Sequence, residues 1–214
     1  MSGLTGRVPV LSNPQRVVLL PVDPSRPCGA RMKGFGLLHL LEHAEATYGA
    51  DAMRGWAEAL PVPLQSFANV KGLTSIGWLP MELYFSAIDH LVKTQHHGDT
   101  RAAADIGHVM ATRGIGAFFR AAMSFATPPT VVSLASRFWR TFFDVGDLVI
   151  VNKTATSVEG ELRDWPLVSE VVFSELAGSF VAWLEASKAK DVRVSRLLVS
   201  GPSTLSLTLS WTAP

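Results

Sequence analysis

Thr204-Leu205-Ser206-Leu207-Thr208-Leu209-Ser210-Trp211 alternates polar and apolar side chains without a break. A period of two puts Leu205, Leu207, Leu209 and Trp211 on one face and Ser206, Thr208 and Ser210 on the other, the mark of a strand buried on one side. The Gly201-Pro202-Ser203 turn precedes it, and Val192–Val199 before the turn is β-rich, so the two segments form a hairpin. Further back the period changes. Val172, Leu176, Phe180 and Leu184 recur every four residues, which predicts a helix from Val168 to about Lys188. Leu148–Asn152 and Val158–Arg163, separated by a polar turn, supply an earlier hairpin. From about Asp147 onward the chain therefore reads as an antiparallel ββαββ sheet.

The preceding two-thirds is helical, so the fold class is α+β. Leu37, Leu41, Ala44 and Tyr48 give one apolar stripe to a helix from about Met32, which Gly49 ends. Asp51 caps a short helix carrying Met53, Trp56 and Leu60, and Pro61 and Pro63 stop it. Residues 64–77 read as a loop or short strand. Helices follow over about 80–95 and from Thr100 to about Arg113, then over Ile115 to Phe125 and from Pro128 through Phe142. Residues 1–31 are rich in Pro, Gly and Ser and form an extended arm, with Arg16–Val22 a candidate edge strand. Residues 32–214 form a single domain of the ligand-binding kind.

Composition narrows the function. The chain has 214 residues, 48% of them hydrophobic and 17% charged, with a formal net charge of +1. That supports one sizeable core and supplies no global basic field for nucleic acid or an anionic membrane. Cys28 is the one cysteine, so an internal disulfide and a thiolate-rich zinc site are both excluded. The start of the sequence lacks the pattern of a signal peptide, and no apolar run is long enough to span a bilayer. The expected location is the cytoplasm.

Met32-Lys33-Gly34, Leu40-Leu41-Glu42, Tyr48-Gly49 and Ala52 resemble the opening of haem–nitric-oxide-binding domains. Gly77-Trp78-Leu79-Pro80, Tyr84 and Asp105-Ile106-Gly107 resemble the middle of 4-vinyl reductase domains and of uncharacterised myxobacterial proteins of the same superfamily, which also contains Bet3-like trafficking subunits. The ββαββ block is similar to theirs. The resemblance spans roughly Met32 to Thr212. It implies a pocket between helices and sheet, frequent homodimers, and binding of haem, small aromatics or acyl chains, or a role in assembly.

In the haem-binding branch a proximal histidine follows the middle region and a Tyr-x-Ser-x-Arg motif holds the propionates. The six histidines here are His39, His43, His90, His96, His97 and His108, so none follows Thr112. Tyr84-Phe85-Ser86-Ala87-Ile88 ends in Ile where the motif needs a cation. The sequence therefore resembles the members without haem ligands, and no cofactor is expected.

His39-Leu40-Leu41-Glu42-His43 matches H-x-x-E-H, in which two imidazoles on one helix face hold zinc and the glutamate takes a proton from bound water. Zinc at His39 and His43 with Glu42 as general base is thus an alternative, a zinc-dependent hydrolase. Both histidines also lie opposite the apolar stripe, as on any solvated helix face. His96 and His97 fit a polar inter-helix turn. Trp78, Tyr84, Phe118, Phe119, Phe138, Trp139 and Phe142 are candidates to line an apolar pocket, with Arg120, Arg137 and Arg140 at its mouth for a ligand carboxylate. Ordinary core packing explains the same aromatics. The leading expectation is a non-catalytic, homodimeric module in signalling or assembly that binds a small molecule or a protein. A purely structural subunit with a filled core is the remaining alternative.

Overall fold

The computed structural model describes residues 4, 7–14, 16–68, 73–114 and 126–212. The chain runs β1 (Arg31–Lys33), α1 (Phe35–Tyr48), α2 (Arg54–Ala59), a 3-10 helix (Val62–Ala68), β2 (Trp78–Pro80), α3 (Met81–Gln95), α4 (Ala102–Gly114) and α5 (Pro128–Phe142). It closes with β3 (Asp147–Lys153), β4 (Ser157–Arg163), α6 (Glu170–Ala186), β5 (Lys190–Gly201) and β6 (Thr204–Thr212). The α+β architecture and the closing ββαββ order match the sequence reading. The helix expected over Ile115 to Phe125 lies outside the described residues.

The four long strands form an antiparallel sheet in the order β3-β4-β6-β5. The alternating β6 segment sits inside it. Leu205 faces Leu162 and Val199, and Leu209 faces Val158 and Val194, so apolar rows cross the sheet. All of these side chains are buried. Cross-strand pairing of this kind fixes the register, because a slip by one residue would turn every leucine to the opposite face.

Helix α6 packs across α4 at close range. A Cβ on Gly178 would overlap the Ala104 carbonyl, and one on Gly107 would overlap the Glu175 carbonyl. The crossing therefore needs glycine on both helices. Ala103, Ala104 and Ala177 fill the rest of it and are fully buried.

Four local expectations differ from the structure. Asp51 does not cap α2: Met53 holds the N-cap position without a side-chain bond, and Asp51 pairs instead with Arg54. Within residues 64–77, Leu64 to Ala68 continue the 3-10 helix begun at Val62. Met32 belongs to a short strand, paired with Leu79 of β2, and α1 begins only at Phe35. Pairing between segments so far apart in the chain leaves no mark in local periodicity. In the arm, Arg16–Val22 is not a strand. The Asn13 side chain donates to the Val17 carbonyl at 2.7 Å and accepts from its N–H at 3.0 Å, and this local turn displaces ladder pairing. The arm meets the sheet earlier: Val194 N–H donates to Arg7 O at 2.8 Å, and Ser12 exchanges backbone bonds with Leu197 and Val199. These contacts cover part of the β5 edge, which would otherwise offer unpaired backbone groups to another chain. No helix among the described residues is long and apolar enough to cross a membrane.

Candidate functional site

A cavity of about 430 Å³ opens between α1, α4, α5 and α6. This lies within the size range of about 300–1,000 Å³ usual for ligand sites. Helix α5 supplies one wall. Pro128 and Pro129 set its first turn, and its apolar positions then carry Phe138, Trp139 and Phe142 inward, with Phe143 just beyond. Helix α6 supplies the facing wall through Glu175, Ser179, Phe180 and Trp183. Met32, Phe35 and Gly36 close one end, with Met110, Ala111 and Gly114 of α4 alongside and Tyr84 of α3 beneath. Gly114 leaves room for the Phe35 ring: a Cβ there would stand 2.6 Å from Cε2 of that ring.

The aromatic wall is continuous. Phe35 meets Phe142 edge-on at 5.4 Å between centroids, Phe142 meets Trp183 at 5.6 Å, and Trp183 meets Phe180 at 5.7 Å. Phe180 stacks on Trp139 at 6.0 Å, and Trp139 on Phe143 at 4.4 Å. Trp139 Nε1 donates to Val145 O at 3.1 Å, which leaves its ring as an apolar surface.

One acid interrupts this lining. Glu175 is 3% exposed. Its Oε1 accepts a hydrogen bond from the Tyr84 hydroxyl at 2.8 Å and another from Ser179 Oγ at 3.0 Å. Burial pushes its carboxyl up to about 7, although both bonds favour the ionised form. Burial, with the negative charge of Glu175 beside it, also drives the Tyr84 hydroxyl well above the ordinary tyrosine range, so Tyr84 stays the donor. Among the described residues, Oε2 has no hydrogen-bond partner, and no Lys, Arg or His lines the cavity.

The cavity brings together four of the aromatics expected from sequence: Tyr84, Phe138, Trp139 and Phe142. Trp78 is elsewhere. It is 38% exposed on β2, with the Lys33 ammonium 4.0 Å above its ring. Phe118, Phe119 and Arg120 lie outside the described residues. Arg137 is exposed and absent from the lining, and Arg140 is paired with Asp147 on the surface. The carboxylate-binding role expected of Arg137 and Arg140 thus has no support in their placement. Sequence reasoning misses Glu175, yet it stands between Ser174 and Leu176 in the unbroken buried run Val171 to Gly178 of the helix. A lone charge in an otherwise apolar and small-residue helical segment is the signal that could have found it.

His39 and His43 are half-buried on α1. His39 Nδ1 is 3.2 Å from Glu42 Oε2, while His43 Nδ1 meets Thr47 Oγ1 at 3.1 Å. The two imidazoles are bonded to different neighbours, and among the described residues no three His, Cys, Asp or Glu side chains gather as metal ligands. His96 is bonded to the Tyr48 hydroxyl at 2.9 Å, and His108 to Glu185 at 2.6 Å.

No protein-family model matches the chain, and no curated protein does. Solved structures do. The Fe(II) unliganded H-NOX protein from K. algicida is 13% identical, with a TM-score of 0.63 over 86% of this chain and 98% of that one. An oxygen-binding H-NOX domain related to soluble guanylate cyclases, solved as its oxygen complex, is 10% identical, with a TM-score of 0.60 over 86% and 96%. A point mutant of T. tengcongensis H-NOX is 10% identical, with a TM-score of 0.59 over 86% and 99%. The fold is therefore that of H-NOX domains. Other structures in this set concern haem distortion and haem redox potential. They correct the expectation of no cofactor and of haem as unlikely for this chain: the fold is shared with solved structures concerned with haem, which points to haem as a candidate cofactor.

Proposed function

We propose that this chain is a non-catalytic sensor module whose ligand, a flat and largely apolar molecule, seats in the cavity between α1, α4, α5 and α6. The observation that carries the reading is the open aromatic slot itself. A chain with 48% hydrophobic content has ample means to fill such a space, and a void of this size is costly to leave in a core. The H-NOX fold of its neighbours, which include iron and oxygen-binding proteins, supports the same use.

Tetrapyrroles belong to the class of flat apolar ligands, and the haem of those neighbours can be tested against the donors present. Haem iron takes an axial imidazole, thiolate, thioether or phenolate, and haem carboxylates take cations or hydrogen-bond donors. The described lining offers iron the thioethers of Met32 and Met110. Tyr84 is committed to Glu175 and stays protonated. The described residues thus do not fit an imidazole-ligated haem with arginine-held propionates. Haem would supply a redox-active iron and a gas-binding position. This chain's own contribution is the aromatic wall that excludes water and the Glu175–Tyr84 pair that marks one end of the slot.

Purified protein, examined by native mass spectrometry and by absorbance with and without added hemin, tests the reading. The expected result is one flat molecule per chain, either retained or taken up, and lost in Ala111→Trp, which fills the slot. A wild-type protein that retains nothing and takes up neither hemin nor a tricyclic aromatic overturns it. The same preparations test a homodimer, proposed from the sequence resemblance, by sedimentation velocity.

A further inference from the structure

We infer that the cavity selects ligands carrying a cationic or N–H-donating nitrogen, held by Glu175 Oε2 inside the aromatic wall, over ligands carrying a carboxylate. The inference rests on the reading of the cavity as a ligand site and specifies its chemistry.

Three observations converge. Glu175 is nine-tenths buried and more, it lines the cavity, and among the described residues only its Oε1 is used by the protein. Oε2 keeps a little accessible surface where the cavity opens, so a ligand nitrogen can reach it and donate a charge-assisted hydrogen bond. The groups facing Glu175 are Tyr84 of α3, Ser179 of its own helix and the Gly107 backbone of α4. None of them is cationic. A carboxylate ligand would therefore meet a like charge in a low-dielectric site with no described counter-ion. Finally, Trp139, Phe142, Phe180 and Trp183 line the same space. Aromatic faces attract a desolvated cation and do nothing for an anion. The arrangement is a carboxyl in a cavity otherwise lined largely by aromatic and apolar side chains, opposite in sign to the arginine-lined mouth expected from the sequence.

Three flat tricycles of similar shape test the inference: 9-aminoacridine (cationic), 9-anthracenemethanol (neutral) and 9-anthracenecarboxylate (anionic). Each is titrated at pH 8 against the protein's tryptophan fluorescence. The cation is expected to bind at least about tenfold tighter than the carboxylate. In Glu175→Gln the cation should lose about tenfold while the neutral probe stays within about twofold. A second measurement on the wild type does not depend on the variant folding: the ratio of cation to neutral affinity should fall as the pH is lowered from 8 to 5.5 and Glu175 takes up its proton. Equal binding of cation and carboxylate, or a cation affinity indifferent to both the substitution and the pH, overturns the inference while neutral binding keeps the cavity reading intact. If none of the three probes binds, the inference falls, and the cavity reading falls with it when the protein also retains no molecule and takes up no hemin; if Ala111→Trp binds the probes as wild type does, both readings fall.

Discussion

Helix α6 has two dissimilar neighbours. Toward α4 it is sealed, with Gly178 against Ala104, Gly107 against Glu175 and alanines between. Toward α5 it stands back behind Phe180 and Trp183 and leaves a cavity of about 430 Å³. One side uses the smallest residues to bring backbones together, and the other uses the largest to hold them apart. Glu175 lies between the two: its backbone carbonyl forms part of the glycine crossing and its side chain faces the cavity. The difference separates what the fold needs from what a ligand needs, and the two sides should respond oppositely to added volume.

The largest effect is expected on the sealed side. In an unpacked helix, Gly→Ala gains about 1 kcal/mol from propensity. At Gly178 the new methyl would meet the Ala104 carbonyl, which is backbone and cannot turn aside. Gly178→Ala should therefore lose about 2–3 kcal/mol in urea denaturation, as overpacking against a fixed neighbour does. Ala111→Trp adds far more volume on the open side and should leave the stability to urea within about 1 kcal/mol of wild type, because its ring enters existing space. If Gly178→Ala gained stability, the contrast between the two sides would be gone.

Glu175 gives the next effect, and its sign is set by the direction of the shift. Its folded carboxyl is pushed up to about 7 by burial, against about 4.3 in an unfolded chain. Between these values the folded state binds more protons than the unfolded one, so stability falls as pH rises through the window and levels off above it. Gln cannot ionise, and its amide oxygen can still accept from Tyr84 and Ser179. Glu175→Gln should abolish this slope and gain about 2 kcal/mol at pH 8. Equal slopes from pH 4.5 to 7 in the two proteins would mean that the acid is solvated, and the account of the cavity's one polar end would fail with it.

How much of this is legible in the sequence follows from how local each feature is. The β6 alternation and the four-residue stripe of α6 are signals within a single element, and both elements form within a few residues of the expected bounds. Tyr84, Phe138, Trp139 and Phe142 are recognisable in the sequence as aromatics but not as one wall. Their companions Phe35, Phe180 and Trp183 come from α1 and α6, and only tertiary packing joins them. Trp78 fails for the opposite reason: its neighbourhood in sequence resembles the superfamily, while its place on β2 turns it outward. Arg137 fails because helix phase, not proximity in sequence, decides whether a side chain faces a cavity.

On the sealed side, the arm gives a smaller effect. Glu185, at the end of α6, accepts from His108 of α4 and pairs with Arg7 of the arm. Burial would raise its carboxyl, but the bonds from His108 and Arg7 and their charges outweigh it and hold the group below its ordinary range. A lowered folded value contributes stability that is present above the unfolded pKa and lost as pH falls through the folded one. Glu185→Ala should therefore cost about 1 kcal/mol at pH 7, discounted for partial exposure, and the difference should close as the pH falls through and below the ordinary glutamate range. Limited proteolysis should also cut the arm faster in the variant. A wild-type cleavage rate would show that the backbone bonds to β5 alone hold the arm.

The smallest effect belongs to Trp78, and it completes the contrast because it tests an aromatic outside the wall. Its ring is stacked under the Lys33 ammonium at the surface, a contact worth about 0.5–1 kcal/mol at an exposed site. Trp78→Ala should cost no more than that and leave binding of the neutral tricycle unchanged. Trp183→Ala, by comparison, removes a ring that touches both Phe142 and Phe180 and widens the slot. Its affinity for the same probe should fall by about tenfold, the effect of losing one aromatic partner of about 1 kcal/mol or more. If the two substitutions weakened binding equally, the probe would be reporting on general stability, and the aromatic wall would have no special claim on the ligand.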